Sequence, residues 1–600
     1  MRVLGISAFY HDSAAALVED GRIVAAAHEE RFSRDKHDPG FPRAAAAWCI
    51  RQGGVPDCVA YYEKPFLKLE RIIENHLAFA PRGFGAFAAS MPVWTKEKAF
   101  MERTLRRELG LLIPGFRKSG TLLFTEHHLA HAASAFLASP FDEAAILTVD
   151  GVGEWATATA GTGRGGRIEL TKEIRYPHSI GLLYSAFTAY LGFRVNEDEY
   201  KVMGLAPFGE PKYRDLILGK LMDLKSDGSF RLDHLYFGYL TGLTMVNGKF
   251  EALFGMATRK PGEPLTRAHM DLAASVQAVV EEAMVRMARA LARETGIENL
   301  CLGGGVGLNC VANGRILRDG AFKRVWIQPA AGDAGGALGA ALAACHVHGG
   351  MSRPPAGGRD SMQGSLLGPE FPQADIEARL TALGAKYEVM PRESLLKAVA
   401  RDIASGKVVG WFQGRMEFGP RALGARSILA DARSPVMRDT VNMKVKHREG
   451  FRPFAPAVLR EEAREWFETG GDGDSPYMLL AGSVNARHLK KLSADDGKLE
   501  GFDKLKAVRS DIPAVTHVDN SARVQTVDAA VNPGFHALIS AFRDLTGCPV
   551  VLNTSFNDAD EPIVCTPEDA YRCFLKTGLD SLAIGECYVT REETAASRQT

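Results

Sequence analysis

Two stretches decide the fold: residues 2–30 read RVLGISAFYHDSAAALVEDGRIVAAAHEE, and residues 144–171 read AAILTVDGVGEWATATAGTGRGGRIELT. Each begins with an apolar strand, continues through a turn that contains an aspartate, and ends in two alternating strands. In the first stretch Asp20-Gly21 separates those two strands, which is a strong hairpin signal. The two units begin about 140 residues apart, so the sequence predicts an internal duplication.

This strand–turn–hairpin repeat resembles the duplicated core of the actin/hexokinase-like ATPase fold, in which the two turns face each other across a cleft and hold nucleotide phosphates and a metal. Helical material follows the second unit, because residues 270–295 carry apolar side chains on one helical face and Gly296 ends the pattern. Two strand–turn–helix patterns come next, at 299–317 and 325–345. We therefore predict an α/β domain over residues 1–348.

A segment rich in Gly, Pro and Ser, residues 349–372, shows no periodicity, which is typical of a linker between domains. Beyond it, residues 373–590 are predicted to form a second domain of the α+β class. Its predicted helices cover residues 392–406, 460–468 and 565–577, and its predicted strands include residues 408–414 and 549–555.

The charges of the 600-residue chain balance, since Lys+Arg and Asp+Glu both number 72. A protein that grips nucleic acid or an anionic membrane normally carries a basic excess, so we expect neither partner. The nine cysteines are scattered without a CxxC pair, which disfavours a disulfide scaffold or a thiolate zinc site. The N-terminus lacks the pattern of a signal peptide and no run of about 18 apolar residues occurs, so the sequence predicts a soluble cytoplasmic protein.

Two histidines in the stretch EHHLAHAASAF carry the strongest chemical signal. His127 and His131 lie four apart, so a helix would place both on one face at metal-chelating distance. Such a pair is often only a surface or capping pair, but two aspartates strengthen the metal interpretation. Asp150 ends a predicted strand at the turn of the second repeat, and Asp333 lies in the turn of GDAGGALGAA. Two imidazoles with two carboxylates suit Fe, Mn or Zn, with His128 as the alternative to His127.

His11 and Asp12, in the turn of the first repeat, are a second candidate pair. One interpretation is turn chemistry, in which the aspartate binds its own backbone and the histidine faces solvent. The other places the imidazole near the cleft phosphates, where it could serve as a general base toward a hydroxyl. The sequence leaves both interpretations open.

Glycine turns are the candidate nucleotide contacts. Gly151 and Gly153 follow a strand, but an alternating strand comes next, so this turn does not match a Rossmann phosphate turn. Gly304 and Gly305 open a helix after a strand, so backbone could approach a nucleotide there. A simple strand–helix corner would give the same pattern.

Basic residues of the second domain lie among glycines and aromatics, in FGPRALGARSIL and NMKVKHREGFRPFAP. A charge run usually forms a solvated face, whereas guanidinium groups clustered with glycine turns suit binding of phosphate or carboxylate. The candidate anion binders are Arg421, Arg426, Lys446, Arg448, Arg452, Arg523, Asn553 and Ser555.

The chain resembles the NodU/CmcH carbamoyltransferases, the O-carbamoyltransferases of nodulation factors, cephamycin and aminoglycosides such as nebramycin. The resemblance spans roughly residues 1–590. It rests, in order, on VLGISAFYHDSAAAL with EERFSRDKHDPGFP, HHLAHAASAF, EYKVMGLAPFG, GGGVGLNCVANGRI, GDAGGALGAA, FGPRALGARSIL, REGFRPFAPAVL and LNTSFN.

The resemblance implies an N-terminal actin-like domain similar to the tRNA threonylcarbamoyltransferase and a C-terminal YrdC-like domain. In that family the YrdC-like domain converts carbamoyl phosphate and ATP to carbamoyl adenylate, and the N-terminal domain transfers the carbamoyl group to an acceptor hydroxyl. The implied cofactors are Fe2+ or another divalent metal and Mg2+ with ATP. The implied acceptor is a small molecule such as a natural product or a sugar, as in antibiotic biosynthesis, and a homodimer is left open.

Roles are implied residue by residue as well. His11 with Asp12 would be the catalytic base, and His127, His131, Asp150 and Asp333 would hold iron, with a nucleotide phosphate completing its shell. The basic candidates of the second domain would hold carbamoyl phosphate and ATP. The contacts to nucleotide in the first domain would be Gly151, Gly153, Gly304, Gly305 and Asn309.

Three alternatives compete with this interpretation. A sugar kinase of the actin-like class would explain the repeat, but not the paired histidines or the basic second domain. A fused tRNA threonylcarbamoyltransferase-like enzyme would need a basic surface, and a nucleotide switch would need no metal site. The acceptor is expected to contact the irregular stretches 60–115 and 210–265, where the aromatics that would either floor a site or fill the core are Phe66, Phe84, Phe87, Trp94 and Tyr236.

Overall fold

The computed structural model describes residues 1–96 and 100–591, with backbone alone for 93–96. It divides into two compact units. The first contains residues 1–29 and 39–361, and the second contains residues 30–38 and 362 onward. Residues 30–38 therefore belong to the second unit although, in sequence, they lie between two parts of the first unit.

A five-stranded sheet forms from the first repeat and its continuation, in the order β3-β2-β1-β4-β5. Strands β1 and β2 pair antiparallel, with Gly5 opposite Ala16, whereas β1 and β4 pair parallel. The strands are β1 (Arg2–Ser7), β2 (Ala14–Glu19), β3 (Arg22–His28), β4 (Cys58–Tyr61) and β5 (Thr121–Phe124).

A second five-stranded sheet has the order β12-β11-β6-β7-β8. Its hairpin strands are antiparallel and the two that follow are parallel to β6, so it repeats the order and directions of the first sheet. The strands are β6 (Glu143–Val149), β7 (Ala156–Arg164), β8 (Arg167–Arg175), then a separate ribbon of β9 (Met222–Leu224) and β10 (Phe230–Leu232), then β11 (Asn299–Gly303) and β12 (Arg324–Ile327). The topology is that of the duplicated actin/hexokinase-like ATPase core, so the predicted duplication is confirmed.

Helices flank these sheets, and α14 approaches one strand and one other helix closely enough to require glycine. A Cβ on Gly5 would lie 1.8 Å from the carbonyl oxygen of Ala337, and one on Gly339 would lie 1.8 Å from that of Ala130. These contacts pack α14 against both β1 and α7. The helices, with α1 in the segment that joins the second unit, are α1 (Glu30–Ser33), α2 (Arg43–Gly53), α3 (Pro65–Phe79), α4 (Phe84–Lys96), α5 (Met101–Leu112), α6 (Phe116–Ser119), α7 (His127–Phe136), α8 (Ile180–Tyr190), α9 (Glu199–Leu205), α10 (Arg214–Leu216), α11 (Gly248–Phe254), α12 (Arg267–Thr295), α13 (Cys310–Asp319) and α14 (Asp333–Ala343).

The second unit is built on a ten-stranded mixed sheet in the order β13-β22-β21-β14-β15-β20-β16-β19-β18-β17. The apolar core of this unit lies on the sheet and includes the fully buried Trp411 and Phe542. Its elements are β13 (Glu388–Val389), β14 (Val409–Phe412), β15 (Arg426–Asp431), β16 (Ala455–Leu459), β17 (Phe467–Glu468), β18 (Leu480–Val484), β19 (Ser521–Val527), β20 (Val550–Ser555), β21 (Ser581–Ile584) and β22 (Cys587–Thr590), with α15 (Gln373–Ala382), α16 (Arg392–Ala404), α17 (Met437–Thr440), α18 (Ala463–Trp466), α19 (Pro533–Thr546) and α20 (Pro567–Lys576).

One local prediction differs from the structure. Residues 460–468 do not form one helix, because Phe467 turns into β17 and pairs with Val484 of β18. The division between the two units falls between residues 361 and 362, inside the segment predicted as a linker. In that segment the Arg353 guanidinium donates to the carbonyls of Ser139 and Phe141 in the first unit, and Leu367 is fully buried in the second. Among the described residues, no helix is long and apolar enough to cross a membrane.

Candidate metal centre and active site

Four side chains from three separate segments converge in the first unit. His127 and His131 lie one turn apart on α7, Asp150 follows β6, and Asp333 is the first residue of α14. The Nε2 atoms of the two histidines lie 2.8 and 3.1 Å from Oδ2 of Asp150, and each lies 3.6 Å from Oδ1 of Asp333. The sequence prediction of this set therefore corresponds to one compact cluster.

The donor set fits a divalent cation. The two Nε2 atoms are 3.0 Å apart and lie 2.8 and 3.1 Å from the same carboxylate oxygen, so a single cation would be within reach of both imidazoles and of that oxygen. One donor atom from each of the four residues lies within 4.8 Å of every other, and the two histidines and Asp333 are each less than 5% exposed. Two nitrogen and two oxygen ligands are the set that Fe, Mn and Zn prefer.

The electrostatics of the cluster follow from burial and charge. Burial lowers the pKa of His131, but its hydrogen bonds to Asp150 and Asp333 outweigh this and raise the pKa to about 9. Burial raises the pKa of Asp150, but the hydrogen bonds from His127 and His131 hold it well below its usual range. Burial also raises the pKa of Asp333, but the charge of His127 and a hydrogen bond from His131 outweigh this and lower it. Both carboxylates are therefore ionised, as metal ligands must be, and His131 would give up its proton when it binds a cation.

His128, the alternative ligand, faces away from the cluster. Its Nδ1 lies 2.6 Å from Oγ1 of Thr148 and its Nε2 lies 2.9 Å from the carbonyl oxygen of Ala156. Burial is the main cause that lowers its pKa to about 3. A neutral ring held between two strands is a structural element, and His127 is the residue that meets the other three.

Glu154 is a residue that the sequence analysis missed. Its carboxylate accepts hydrogen bonds from the backbone N–H of His127, at 3.0 and 3.1 Å, and from that of Lys64, at 2.8 Å. It is 7% exposed and thus fixes the first turn of α7 against the turn that carries Asp150. The available signal was an acid only four residues after Asp150.

His11 and Asp12 lie beside the cluster. Nδ1 of His11 donates to Oδ2 of Asp12 at 2.9 Å, and Nε2 lies 3.7 Å from Oδ2 of Asp333. Burial lowers the pKa of His11, but Asp12 and Asp333 outweigh it and raise the pKa to about 9. A cation held by Asp333 would oppose that rise.

The glycine turns also border the cluster. Gly304 has φ +86°, and a Cβ there would lie 2.3 Å from the carbonyl oxygen of Val149, so only glycine fits. The Gly305 N–H donates to Oδ1 of Asp150 at 3.1 Å. Gly153 packs on the ring of His127, with 3.0 Å available for a Cβ. Gly151 is open, having no atom within 4 Å of such a Cβ.

Asn309 lies at the start of α13. Its side-chain amide exchanges two hydrogen bonds with that of Gln277, at 3.0 and 3.1 Å, and it also accepts from the N–H of Ala312. These hydrogen bonds connect α12 to the start of α13, which follows the Gly304–Gly305 turn in sequence.

The second unit brings Lys446 and Ser555 together. Nζ of Lys446 donates to the carbonyl oxygens of Ser555 and Asn557, at 2.5 and 2.9 Å, and to Oδ1 of Asn557 at 2.5 Å. Burial is the largest cause that holds the pKa of Lys446 well below its usual range, with the nearby Arg448 adding to it. Asn557 was not among the predicted residues, although it belongs to the quoted LNTSFN motif.

The other basic candidates, apart from Arg426, lie on loops of the second unit and on β19. Arg448 donates to Oδ1 of Asn442 at 2.7 Å and its guanidinium lies 4.7 Å from the Phe454 ring centroid. Arg452 is 3.7 Å from Glu449. Arg421 and Arg523 are partly exposed on the motif loop and on β19.

Arg426 is fully buried. It donates to the backbone carbonyls of Gln413, Gly414, Ala425 and Pro369 and covers the Phe412 ring at 3.5 Å. Its guanidinium therefore stabilises loops of the second unit.

The loop that carries Arg421 is held by two further side chains. Oε1 of Glu417 accepts from the N–H groups of Leu423, Ala425 and Arg426, at 2.7, 2.7 and 3.2 Å. Asn553 donates to the carbonyl of Ala422 at 3.2 Å. Glu417 was missed by the sequence analysis, because an acid before FGPRALG resembles any surface acid until the loop closes around it.

The irregular stretches 60–115 and 210–265 also meet. Nδ2 of Asn75 donates to the carbonyl of Leu240 at 2.9 Å. Phe66 and Phe84 are 71% and 65% exposed, so neither is a core residue. The side chain of Trp94 lies outside the described residues.

Two family models match the chain. One, described as Carbamoyltransferase N-terminus, matches residues 2–342, and the other, described as Carbamoyltransferase C-terminus, matches residues 400–591.

Full-length relatives extend the match. An uncharacterised protein of Synechocystis sp. is 54% identical over 97% of this chain and 95% of its own length. Nodulation protein NolNO of Sinorhizobium fredii is 38% identical over 98% of this chain and 80% of its own. The 3'-hydroxymethylcephem-O-carbamoyltransferase of Amycolatopsis lactamdurans is 27% identical over 97% and 98%.

Solved structures match a little more than half of the chain. ROK hexokinase from Thermus thermophilus covers 57% of this chain and 98% of its own at 16% identity, with a TM-score of 0.25. HypF of T. kodakarensis covers 59% of this chain and 49% of its own at 15% identity, with a TM-score of 0.28.

Proposed function

The chain belongs to the carbamoyltransferase family, and from that premise we propose that it is an ATP-dependent O-carbamoyltransferase whose acceptor is the hydroxyl of a small molecule. The observation that carries the proposal is the compact cluster of His127, His131, Asp150 and Asp333 beside His11. A sugar kinase or a nucleotide switch has no need of paired imidazoles at this position.

The proposed reaction has two parts. In the second unit, which we propose is YrdC-like, carbamoyl phosphate loses phosphate to water, and the resulting carbamate attacks the α-phosphorus of Mg-ATP with loss of pyrophosphate. In the first unit the acceptor oxygen attacks the carbonyl carbon of carbamoyl adenylate, the C–O bond to phosphate breaks, and AMP leaves. The products are the O-carbamoyl ester, AMP, pyrophosphate and phosphate.

His11 would take the proton of the acceptor hydroxyl. Because a carboxylate only accepts, the bond to Asp12 keeps the proton of the neutral ring on Nδ1 and leaves the lone pair on Nε2. Asp12 thereby sets the tautomer and stabilises the imidazolium that forms. Nε2 points toward Asp333, so the hydroxyl would be deprotonated beside the metal cluster.

His127, His131, Asp150 and Asp333 would hold the metal, for which the family resemblance favours iron. Such a cation would supply charge that stabilises phosphate and carbonyl oxygens. The N–H of Gly305 donates to Asp150, which places the Gly304–Gly305 turn directly beside the proposed metal ligands. A nucleotide phosphate bound at this turn would therefore meet the cluster.

Cationic residues of the second unit would neutralise the phosphates of both co-substrates. We assign this contact to Arg421, Lys446, Arg448, Arg452 and Arg523, with Ser555 beside Lys446. Arg426 and Asn553 we assign instead to holding the loop that presents Arg421, because they donate to backbone carbonyls of residues 413–425.

The test is to supply purified protein with carbamoyl phosphate and ATP and to measure AMP, ADP and pyrophosphate. Pyrophosphate and AMP that depend on carbamoyl phosphate support the proposal. Production of ADP instead would identify a kinase and contradict it.

A further inference from the structure

Helix α3 spans the distance between the two turns of the repeat. Lys68 and Arg71 lie one turn apart on its buried face. Nζ of Lys68 lies 4.8 Å from the centroid of the Tyr10 ring, and Tyr10 directly precedes His11. Nη1 of Arg71 donates to the carbonyl oxygen of Gly153, in the turn that follows Asp150, at 2.6 Å. Both cations therefore border the place where the acceptor would react.

Lys68 is compensated, but Arg71 is not. Nζ of Lys68 lies 2.9 Å from Oε2 of Glu63, and both residues are less than 10% exposed. Arg71 is 8% exposed, and among the described residues no carboxylate lies within 4.0 Å of its guanidinium. Glu63 and Glu154 act on Arg71 only from a greater distance, and each already has partners of its own.

A guanidinium with few acceptors is costly to bury. Arg71 has five N–H donors but a single acceptor among the described residues, and its Cζ lies 5.2 Å from the centroid of the Tyr176 ring. Burial lowers the pKa of Arg71, yet a guanidinium remains charged at neutral pH. A buried cation of this kind is stabilised when a planar oxyanion occupies its free edge.

Arg71 lies between the Gly151–Gly153 turn, which it contacts, and the two irregular stretches. The hydroxyl of Tyr176 donates to Oδ1 of Asn75 at 3.3 Å, and Asn75 donates to Leu240. These bonds connect the surroundings of Arg71, in the first irregular stretch, to the second irregular stretch.

We propose that Arg71 binds an anionic group, a carboxylate or a phosphate, on the acceptor, so that the acceptor is an acidic hydroxylated small molecule. This inference rests on the proposed function, since it assumes that the acceptor hydroxyl lies at His11.

Crystals of the full chain soaked in selenate locate an oxyanion site by anomalous scattering. We expect a selenate within hydrogen-bond distance of Arg71 in the wild type. It should be lost in Arg71→Gln and kept in Arg82→Gln, a matched change at an exposed arginine between α3 and α4. No selenate at Arg71 in the wild type would overturn the inference, and equal occupancy in Arg71→Gln would mark an adventitious ion only and overturn it too.

A measurement of AMP affinity distinguishes the two possible sources of the anion at Arg71, the acceptor and the nucleotide. AMP affinity should change less than twofold in Arg71→Gln, whereas a loss of tenfold or more, the scale of one charge-assisted hydrogen-bonded contact, would assign the anion to the nucleotide and reject an acidic acceptor. Pyrophosphate release from ATP and carbamoyl phosphate verifies that the variant is folded, and Arg71→Lys provides a second variant that keeps the charge. Failure of pyrophosphate release in the wild type would reject the proposed function, whereas its presence without selenate at Arg71 would reject only this inference.

Discussion

The two candidate sites are built in opposite ways. In the first unit, imidazoles and carboxylates from α7, α14 and the end of β6 face one another within 4.8 Å. In the second unit, the buried cations are bound to carbonyl and amide oxygens, as Lys446 and Arg426 show. Neutral imidazoles that converge with carboxylates form a site for a cation, whereas a cation tied to neutral dipoles, as we propose for Lys446, keeps positive potential for an anionic ligand. In the second unit, therefore, residue type alone did not distinguish a proposed ligand-binding cation such as Lys446 from a structural one such as Arg426.

Removing both histidines should have the largest effect. A small effect would contradict the contrast between a cation site in the first unit and an anion site in the second. His127→Ala/His131→Ala should lose about one bound divalent ion per chain and lower carbamoyl transfer to background, because two of four ligands are gone. Metal analysis of the purified protein measures this, with His348→Ala, at an exposed histidine, as the control. Full metal content in the double variant would reject the metal centre.

Replacing the base should separate the two sites by reaction step. His11→Asn should lower carbamoyl transfer by roughly 10²–10⁴-fold, the usual contribution of a general base, while pyrophosphate release continues. Arg448→Ala should instead lower pyrophosphate release itself. Assays of pyrophosphate and of carbamoylated product on both variants decide the matter. The opposite pattern would reverse the roles of the two units.

Glu154 tests the first site without removing a proposed ligand, because its carboxylate binds the backbone N–H of His127. Glu154→Ala should weaken metal affinity by about 10–100-fold, since the first turn of α7 loses its acceptor. Competition with a chelator measures the affinity, and rescue is expected in Glu154→Gln, which keeps one acceptor oxygen. Glu126→Gln, at an exposed acid that precedes the same helix, is the control. Unchanged affinity in Glu154→Ala would show that α7 is held without it.

Glu417 gives the smallest predicted effect and the corresponding test in the second unit. Glu417→Ala should lower kcat/KM for pyrophosphate release by about tenfold, because one carboxylate oxygen accepts from three N–H groups of the loop that presents Arg421. Metal content should stay unchanged, and Glu500→Ala, at an exposed acid of the same unit, should behave as wild type. A loss of metal in Glu417→Ala would contradict the separation of the two sites.

Much of the first unit could be predicted from local patterns. The hairpin signals and the apolar runs lie close together in sequence, so they gave the duplicated sheets, and the four-residue spacing gave the shared face of His127 and His131. The second unit was harder, because its sheet joins strands far apart in the chain. For example, β14 pairs with β15 on one side and with β21 on the other.

The sequence by itself determined the elements, the pairing of the histidines and the positions of the turn aspartates, because helix and strand periodicities depend on neighbouring residues. Only the tertiary structure decided which histidine faces the aspartates, that residues 30–38 belong to the second unit, and that Glu154, Glu417 and Arg426 hold backbone groups. The physical reason is that a buried polar side chain is fixed by the partners that satisfy its hydrogen bonds. Those partners come from distant parts of the chain, and local sequence patterns do not carry that information.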